Sequence, residues 1–209
     1  MHDVRALAAR VLAAVDAQPG RFLLGITGPP GSGKSTLAHA LAASVLDQRG
    51  RTAALVAPLD GFHLSNEKLD SLGLLSLKGA PQTFDATAFV GYLRRLRDDS
   101  GTTVLWPDFD RSAERTLPDA ISITASTRLV ITEGNYLLLE QPPWHEVRDL
   151  LDEVWYLDVP ADILRRRLIE RAMAYGRSED DATRHVDESD LRNAELVARA
   201  KHLAELTIR

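Results

Sequence analysis

The segment GPPGSGKS, Gly28 to Ser35, fits the pattern G-x-x-x-x-G-K-[ST], in which each residue type has a chemical reason to be present. Consecutive backbone N–H groups, together with the positive end of a following helix, can surround a phosphate. A lysine in this place (Lys34) bridges the terminal phosphates, and the Ser35 hydroxyl ligates magnesium. Gly31 and Gly33 permit dihedrals that a Cβ would forbid. The candidate nucleotide contacts are therefore Gly28, Pro29, Pro30, Gly31, Ser32, Gly33, Lys34, Ser35 and Thr36, the last as an early helix residue beside the α- or β-phosphate. Two acids extend the chemistry. Asp60, in LDGFH, can accept the proton of an attacking alcohol or hold it in line, with a turn aspartate before Gly61 as the bland alternative. Glu133, closing LVITEG, can reach magnesium directly or through water, against the alternative of a helix cap. His63, Asp110, Arg111, Asn135 and Tyr136 follow these motifs closely and are the candidate substrate contacts, with solvation or ordinary packing as their alternatives. Arg167 and Arg171, four apart on one helical face, suit a lid that excludes water and brings cations to transferred charge.

Such groups act only if strands and helices bring them to one edge. RFLLGIT (21–27), TAALVAP (52–58), RLVITEG (128–134) and EVWYLDV (153–159) are continuous apolar runs, TTVLW (102–106) is a further strand, and ELTIR ends the chain as a last one. Helices are expected over 3–17, over 34–49, from Asp85 through Leu96, over 143–151, along the arginine-rich face and over 188–203. Strands apolar on both faces and alternating with helices predict an α/β fold with a mostly parallel sheet covered on both sides. Asp60 then emerges at the same sheet edge as the phosphate loop. The stretch 59–84 reads as a long functional loop on the acceptor side, PDFDRSAERTLPDA as polar loop, and about 165–185 as the lid region.

Composition narrows the class. The 209 residues, 44% hydrophobic and 26% charged, suit a single domain over 1–209, and no internal repeat or boundary is evident. A net charge of -5 provides no global positive field for a nucleic-acid backbone, so that partner is excluded. The absence of cysteine removes disulfides, thiolate metal sites and thiol chemistry, and fits a cytoplasmic setting. No apolar run reaches the ~18 residues of a membrane span, and no membrane association is expected. The acidic balance argues against a helicase. An N-K-x-D guanine reader and an LSGGQ transporter signature are both missing, and the D-x-x-G at Asp70–Gly73 follows no strand. A nucleotide-binding regulator and a partner-coupled ATPase are the rival readings to a kinase. Scattered surface hydrophobes leave a homodimer open.

GPPGSGKST, LDGFHL, GAPQTFD, ITEGNYLLL and RRRLIERAMAYGRS together resemble the P-loop kinase superfamily containing uridine kinase, phosphoribulokinase and bacterial pantothenate kinase. DGFH and GAPxTFD are most similar to its pantothenate-kinase-like branch, which includes chains labelled nucleoside/nucleotide kinase or fructokinase-like. The resemblance implies a three-layer P-loop NTPase fold with a five-stranded parallel sheet of order 2-3-1-4-5 and a helical lid. It implies ATP and Mg2+ as cofactors and transfer to a hydroxyl of a small-molecule alcohol that is nucleoside, pantothenate-like or sugar-like. On it, Asp60 is the catalytic base, Glu133 an acid on the magnesium side, Arg167 and Arg171 lid residues, and Asn193 a neighbour of adenine.

Overall fold

A computed structural model describes residues 3–50, 52–98 and 101–209. The sheet comprises β1 (Phe22–Thr27), β2 (Ala54–Pro58), β5 (Leu129–Glu133), β6 (Glu153–Leu157) and β7 (Leu206–Ile208), and β3 (Val104–Asp110) and β4 (Arg115–Ile123) form a separate hairpin. Its spatial order is β2-β5-β1-β6-β7, and every pairing is parallel. Numbering only the strands of this sheet along the chain, that order reads 2-3-1-4-5, as the resemblance implies.

The double-sided apolar runs explain the layers. Successive strand residues point to opposite faces, so Leu23, Val130 and Val154 join one core while their neighbours Leu24, Ile131 and Trp155 join the other. The second core is closed by α1 (Val4–Asp16) and α2 (Lys34–Arg49), the first by α4 (Ala86–Arg97) and α5 (His145–Asp149). Helix α1 starts where the Asp3 carboxylate accepts from the N–H groups of Arg5 (3.0 Å) and Ala6 (3.2 Å), and it buries Ala8, Val11, Leu12 and Val15. Asp85 caps α4 in the same way through Ala88 N–H (2.9 Å), turning Phe89, Val90, Leu93 and Leu96 inward.

Four expectations need correction. The strand expected at 102–106 begins at Val104 and lies outside the sheet, and the stretch expected to be polar loop is mostly strand: β3 and β4 form an antiparallel hairpin with Asp110 opposite Arg115. One face of that ribbon is solvated, so its apolar period is weak. The loop 59–84 is not irregular. It contains 3-10 turns at 59–62, 75–77 and 81–83 and a short helix α3 (Asn66–Ser71), and it is tied to itself by Leu64 N–H to Thr83 O (3.0 Å) and Asp85 N–H to Phe62 O (2.8 Å). The helix expected over 188–203 is broken: a π-helical turn, Val186–Asp190, precedes α8 (Leu191–Arg199), and a 3-10 turn follows. Between β6 and that turn the chain forms α6 (Ala161–Ala174) and α7 (Glu179–His185), which span the stretch expected to be the lid.

Candidate active site

A cleft of about 920 Å³ opens at the carboxyl edge of the sheet, where the phosphate loop, the 59–84 segment, the hairpin turn and α6 converge. The loop leaves β1 at Thr27 and enters α2 through Gly33, whose φ of +95° disfavours any residue bearing a Cβ. No side chain caps α2, so the first N–H groups of the helix remain for a ligand. Lys34 is buried and donates to the Pro29 carbonyl at 3.0 Å. Burial brings its pKa down to about 8, although the nearby Glu133 and Asp60 carboxylates pull it up. Glu133 is buried as well, and desolvation raises its pKa despite Lys34 and the Ser35 hydroxyl, which donates to Glu133 Oε1 at 2.9 Å. Desolvation thus outweighs the mutual attraction of the two groups. A buried carboxylate beside a hydroxyl, next to an anion-binding helix end, is a donor set that suits a hard divalent cation. No cluster of three or more His, Cys, Asp or Glu side chains suited to a metal exists among the described residues, so such an ion would share its ligands with phosphate and water.

Asp60 lies one residue beyond Leu59, which follows β2, in the 3-10 turn at 59–62. One of its carboxylate oxygens accepts from Arg111, and the other lies 3.9 Å from His63 Nε2. The turn is pressed against the hairpin: a Cβ on Gly61 would stand 2.2 Å from the Pro107 carbonyl oxygen. Trp106 fixes the same contact by donating its indole N–H to Pro58 O (2.9 Å) and packing edge-on against Phe62 and Phe89. His63 stacks on Phe84 with ring centroids 4.0 Å apart and leans on Phe109 at 5.0 Å. This packing removes its solvation, and its pKa falls to about 4.

Not every sequence candidate reaches the cleft. Pro30, Gly31, Gly33, Lys34, Ser35, Thr36, Asp60, His63, Arg111, Glu133, Asn135, Arg167 and Arg171 line it, whereas Gly28, Pro29 and Ser32 do not. Tyr136 is a correction. Its ring is fully buried against Phe84 and Trp144, its hydroxyl donates to the Gly79 carbonyl, and it therefore positions the 59–84 segment from behind. Asp110 is another: its carboxylate accepts from Ser112 N–H (2.9 Å) and Ala113 N–H (3.1 Å), shaping the hairpin turn that presents Arg111. Asn193 is buried on α8 and does not line the cleft. On α6, Arg167 donates to the Gly31 carbonyl at 3.4 Å.

Several lining residues escaped the sequence reading. Lys78 and Glu114 meet across the mouth, and Asp190 closes the π-helical turn near Arg171 and Arg177. Burial raises the pKa of Asp190 against those cations. The only local hint at Lys78 was its place inside an unusually long loop. A π-turn, which frequently marks functional sites, has no signature in residue periodicity.

Known proteins share this arrangement. A solved structure from Silicibacter sp. TM1040, provisionally named a fructose transport system kinase, superposes with a TM-score of 0.91 at 38% identity over the whole of both chains. A Schizosaccharomyces pombe protein provisionally named a uridine kinase is 36% identical over 85% of this chain and 78% of its own. The chain belongs to the P-loop kinases of the uridine kinase and pantothenate kinase superfamily. The Escherichia coli protein YggC, uncharacterized, is 36% identical over 90% of this P-loop kinase and 77% of its own length. The family described as the methylmalonyl Co-A mutase-associated GTPase MeaB matches residues 1–62. That match ends at Phe62 and takes in α1, β1, the phosphate loop, α2 and β2. Among the described residues no helix is long and apolar enough to cross a membrane.

Proposed function

We propose that this kinase transfers the γ-phosphoryl group of ATP, with Mg2+, to a hydroxyl of a small molecule. The observation that carries the reading is Asp60: a carboxylate lining the same cleft as Lys34 and Ser35, with one oxygen on Arg111 and the other 3.9 Å from His63 Nε2. An acceptor O–H entering between Asp60 and the phosphate loop gives its proton to the carboxylate as its oxygen forms a bond to the γ-phosphorus. The bond from that phosphorus to the β,γ-bridging oxygen breaks, and ADP leaves with the electron pair. Lys34 and the first N–H groups of α2 hold the phosphates, and Arg167 and Arg171 come over them from α6, excluding water. Ser35 and Glu133 are the residues that would hold Mg2+, which when bound offsets charge on the β- and γ-phosphates.

Incubation of the purified protein with Mg·ATP and a panel of nucleosides, pantothenate, free sugars and sugar phosphates, with product detected by mass, tests this reading. At least one acceptor should be phosphorylated. Asp60→Asn should keep ATP affinity and lose about 10²- to 10⁴-fold in turnover, the contribution of general-base assistance. Nucleotide binding without product from any acceptor would instead support the regulator or partner-coupled ATPase.

A further inference from the structure

The β3–β4 ribbon lies outside the sheet, yet it is fastened to the chain on both sides of Asp60. Before that residue, the Trp106 indole donates to Pro58 O at 2.9 Å. After it, the Gly61 backbone meets Pro107 so closely that a Cβ would stand 2.2 Å from the carbonyl oxygen, and Thr116 Oγ1 donates to His63 O at 3.3 Å. The two strands change register between Trp106 and Asp108, an irregularity of the kind that bends a ribbon and re-aims the side chains beyond it. Beyond it stands Arg111. Its turn is closed by Asp110, whose Oδ1 accepts from Ser112 N–H (2.9 Å), Ser112 Oγ (2.7 Å) and Ala113 N–H (3.1 Å). All of these contacts converge on one ion pair, in which Arg111 Nη2 donates to Asp60 Oδ2.

Stability gives that pair little reason to exist. The side chains of Arg111 and Asp60 are 56% and 27% exposed, and ion pairs so open to water contribute little to folding. The effect falls on the carboxylate instead. Oδ2 is engaged, whereas the neighbour of Oδ1 is His63 Nε2 at 3.9 Å, beyond hydrogen-bond reach. His63 does not compete for a proton, because burial against Phe84 and Phe109 pushes its imidazole down to about 4. The two oxygens of one carboxylate, chemically equal in water, are thus made unequal.

We infer that Arg111 is a positioning residue for phosphoryl transfer: by engaging Oδ2 of Asp60 it fixes the carboxylate and leaves Oδ1, beside His63, as the oxygen that takes the acceptor proton. This rests on the kinase reading above. In the step, the acceptor O–H bond breaks, its proton goes to Oδ1, and the acceptor oxygen bonds the γ-phosphorus. ADP leaves with the electron pair of the bond from that phosphorus to the bridging oxygen. A carboxylate free to rotate presents either oxygen in many directions; held at one, it presents the other in a single direction, which is the preorganisation that a general base needs. The planar guanidinium fork sets orientation as well as charge, which an ammonium group does not.

A double-mutant cycle tests whether Arg111 acts through Asp60. With Mg·ATP and the acceptor that the wild type converts fastest, single-turnover rates are measured by mass detection of product for Arg111→Ala, Asp60→Asn and the two combined. Arg111→Ala should slow transfer about 10²-fold while ATP affinity, measured by titration, holds. Arg111→Lys should fall between the two. In the Asp60→Asn background the same Arg111→Ala change should slow transfer less than about 3-fold, because the group that it orients is gone. Guanidinium ion, added well below the concentrations that unfold the chain, should restore part of the rate to Arg111→Ala and none to the combined variant, a recovery that a merely structural role does not give. Circular dichroism checks folding, and Arg111→Gln replaces Arg111→Ala if the latter does not fold. An unchanged rate in the folded variant overturns the inference. A loss that multiplies in full with that of Asp60→Asn overturns it too, and puts Arg111 on the acceptor or the phosphates instead. In both cases product from the wild type keeps the kinase reading. Absence of product from the wild type with every acceptor overturns the kinase reading and this inference with it.

Discussion

The two walls of the cleft are built on opposite principles. The wall proposed to hold the nucleotide is a row of strand-to-helix junctions at the edge of the open parallel sheet, and Thr27, Lys34, Thr132 and Glu133 are all buried there. The acceptor wall is an excursion: 3-10 turns, a short helix and a hairpin, with Leu72, Leu75 and Leu77 more than 40% exposed. Phosphate holding depends on backbone N–H groups and on two or three side chains whose positions are dictated by the sheet. Acceptor reading, in the proposed function, depends on side chains at the tips of segments held to that frame at a few points, such as Trp106 against Pro58 and Tyr136 against Gly79. A P-loop kinase can therefore keep one wall and change the other without disturbing the core.

If that division is right, damage on each wall has a distinct signature. The largest effect is expected from Lys34→Met, which removes the buried ammonium at the phosphates. Turnover should drop about 10³-fold with any acceptor, a loss typical for removal of a preorganised charge. Steady-state kinetics and ATP titration check this; a change confined to one acceptor would break the division. Next comes Gly61→Ala. Its Cβ would need the space of the Pro107 carbonyl, 2.2 Å away, so the turn carrying Asp60 and the hairpin carrying Arg111 must separate. A cost of about 1–3 kcal/mol in stability is expected from such overpacking. Urea unfolding measures it, and kcat/KM for the acceptor should decline while ATP affinity holds. An equal loss of ATP affinity would show that the walls are coupled.

The same division explains what could be read from the chain. Strands β1, β5 and β6 stand out because residues on both faces are buried, and the phosphate loop stands out because its residue types are dictated by one ligand. Asp60 and Glu133 could be placed at the functional edge from their positions after apolar runs. The pairing of parallel strands was different: β2 contacts β5 across more than 70 intervening residues, a fact that periodicity does not contain and that came from resemblance alone. The hairpin was missed because β4 has one solvated face and a proline at position 118, so neither alternation nor composition marked it. With the hairpin went the ion pair of Arg111 with Asp60 and the pair of Lys78 with Glu114, both of which exist only once β3 and β4 turn back over the 59–84 segment. Tyr136 was misjudged for a related reason. Adjacency to Glu133 and Asn135 suggested the cleft, but its ring turns inward onto Phe84 and Trp144.

His63 gives the smallest and most selective test, because it belongs to the acceptor wall yet its side chain is only 12% exposed. Packed between Phe84 and Phe109, with Lys78 and Arg111 nearby and only Asp60 favouring a charge, it stays neutral in the folded protein down to a pKa of about 4. In the unfolded chain an imidazole binds its proton near pH 6.5. Above that value neither state is protonated and the stabilisation is complete. As pH falls from 6.5 towards 4, the unfolded chain gains a proton that the folded one refuses, and stability declines. Between pH 7 and pH 5 the loss should be about 2 kcal/mol from this group. Urea midpoints at the two pH values should therefore differ more for the wild type than for His63→Asn, whose side chain does not titrate. Equal shifts in both proteins would mean that the imidazole is hydrated, and that the acceptor wall is looser around Asp60 than its packing indicates.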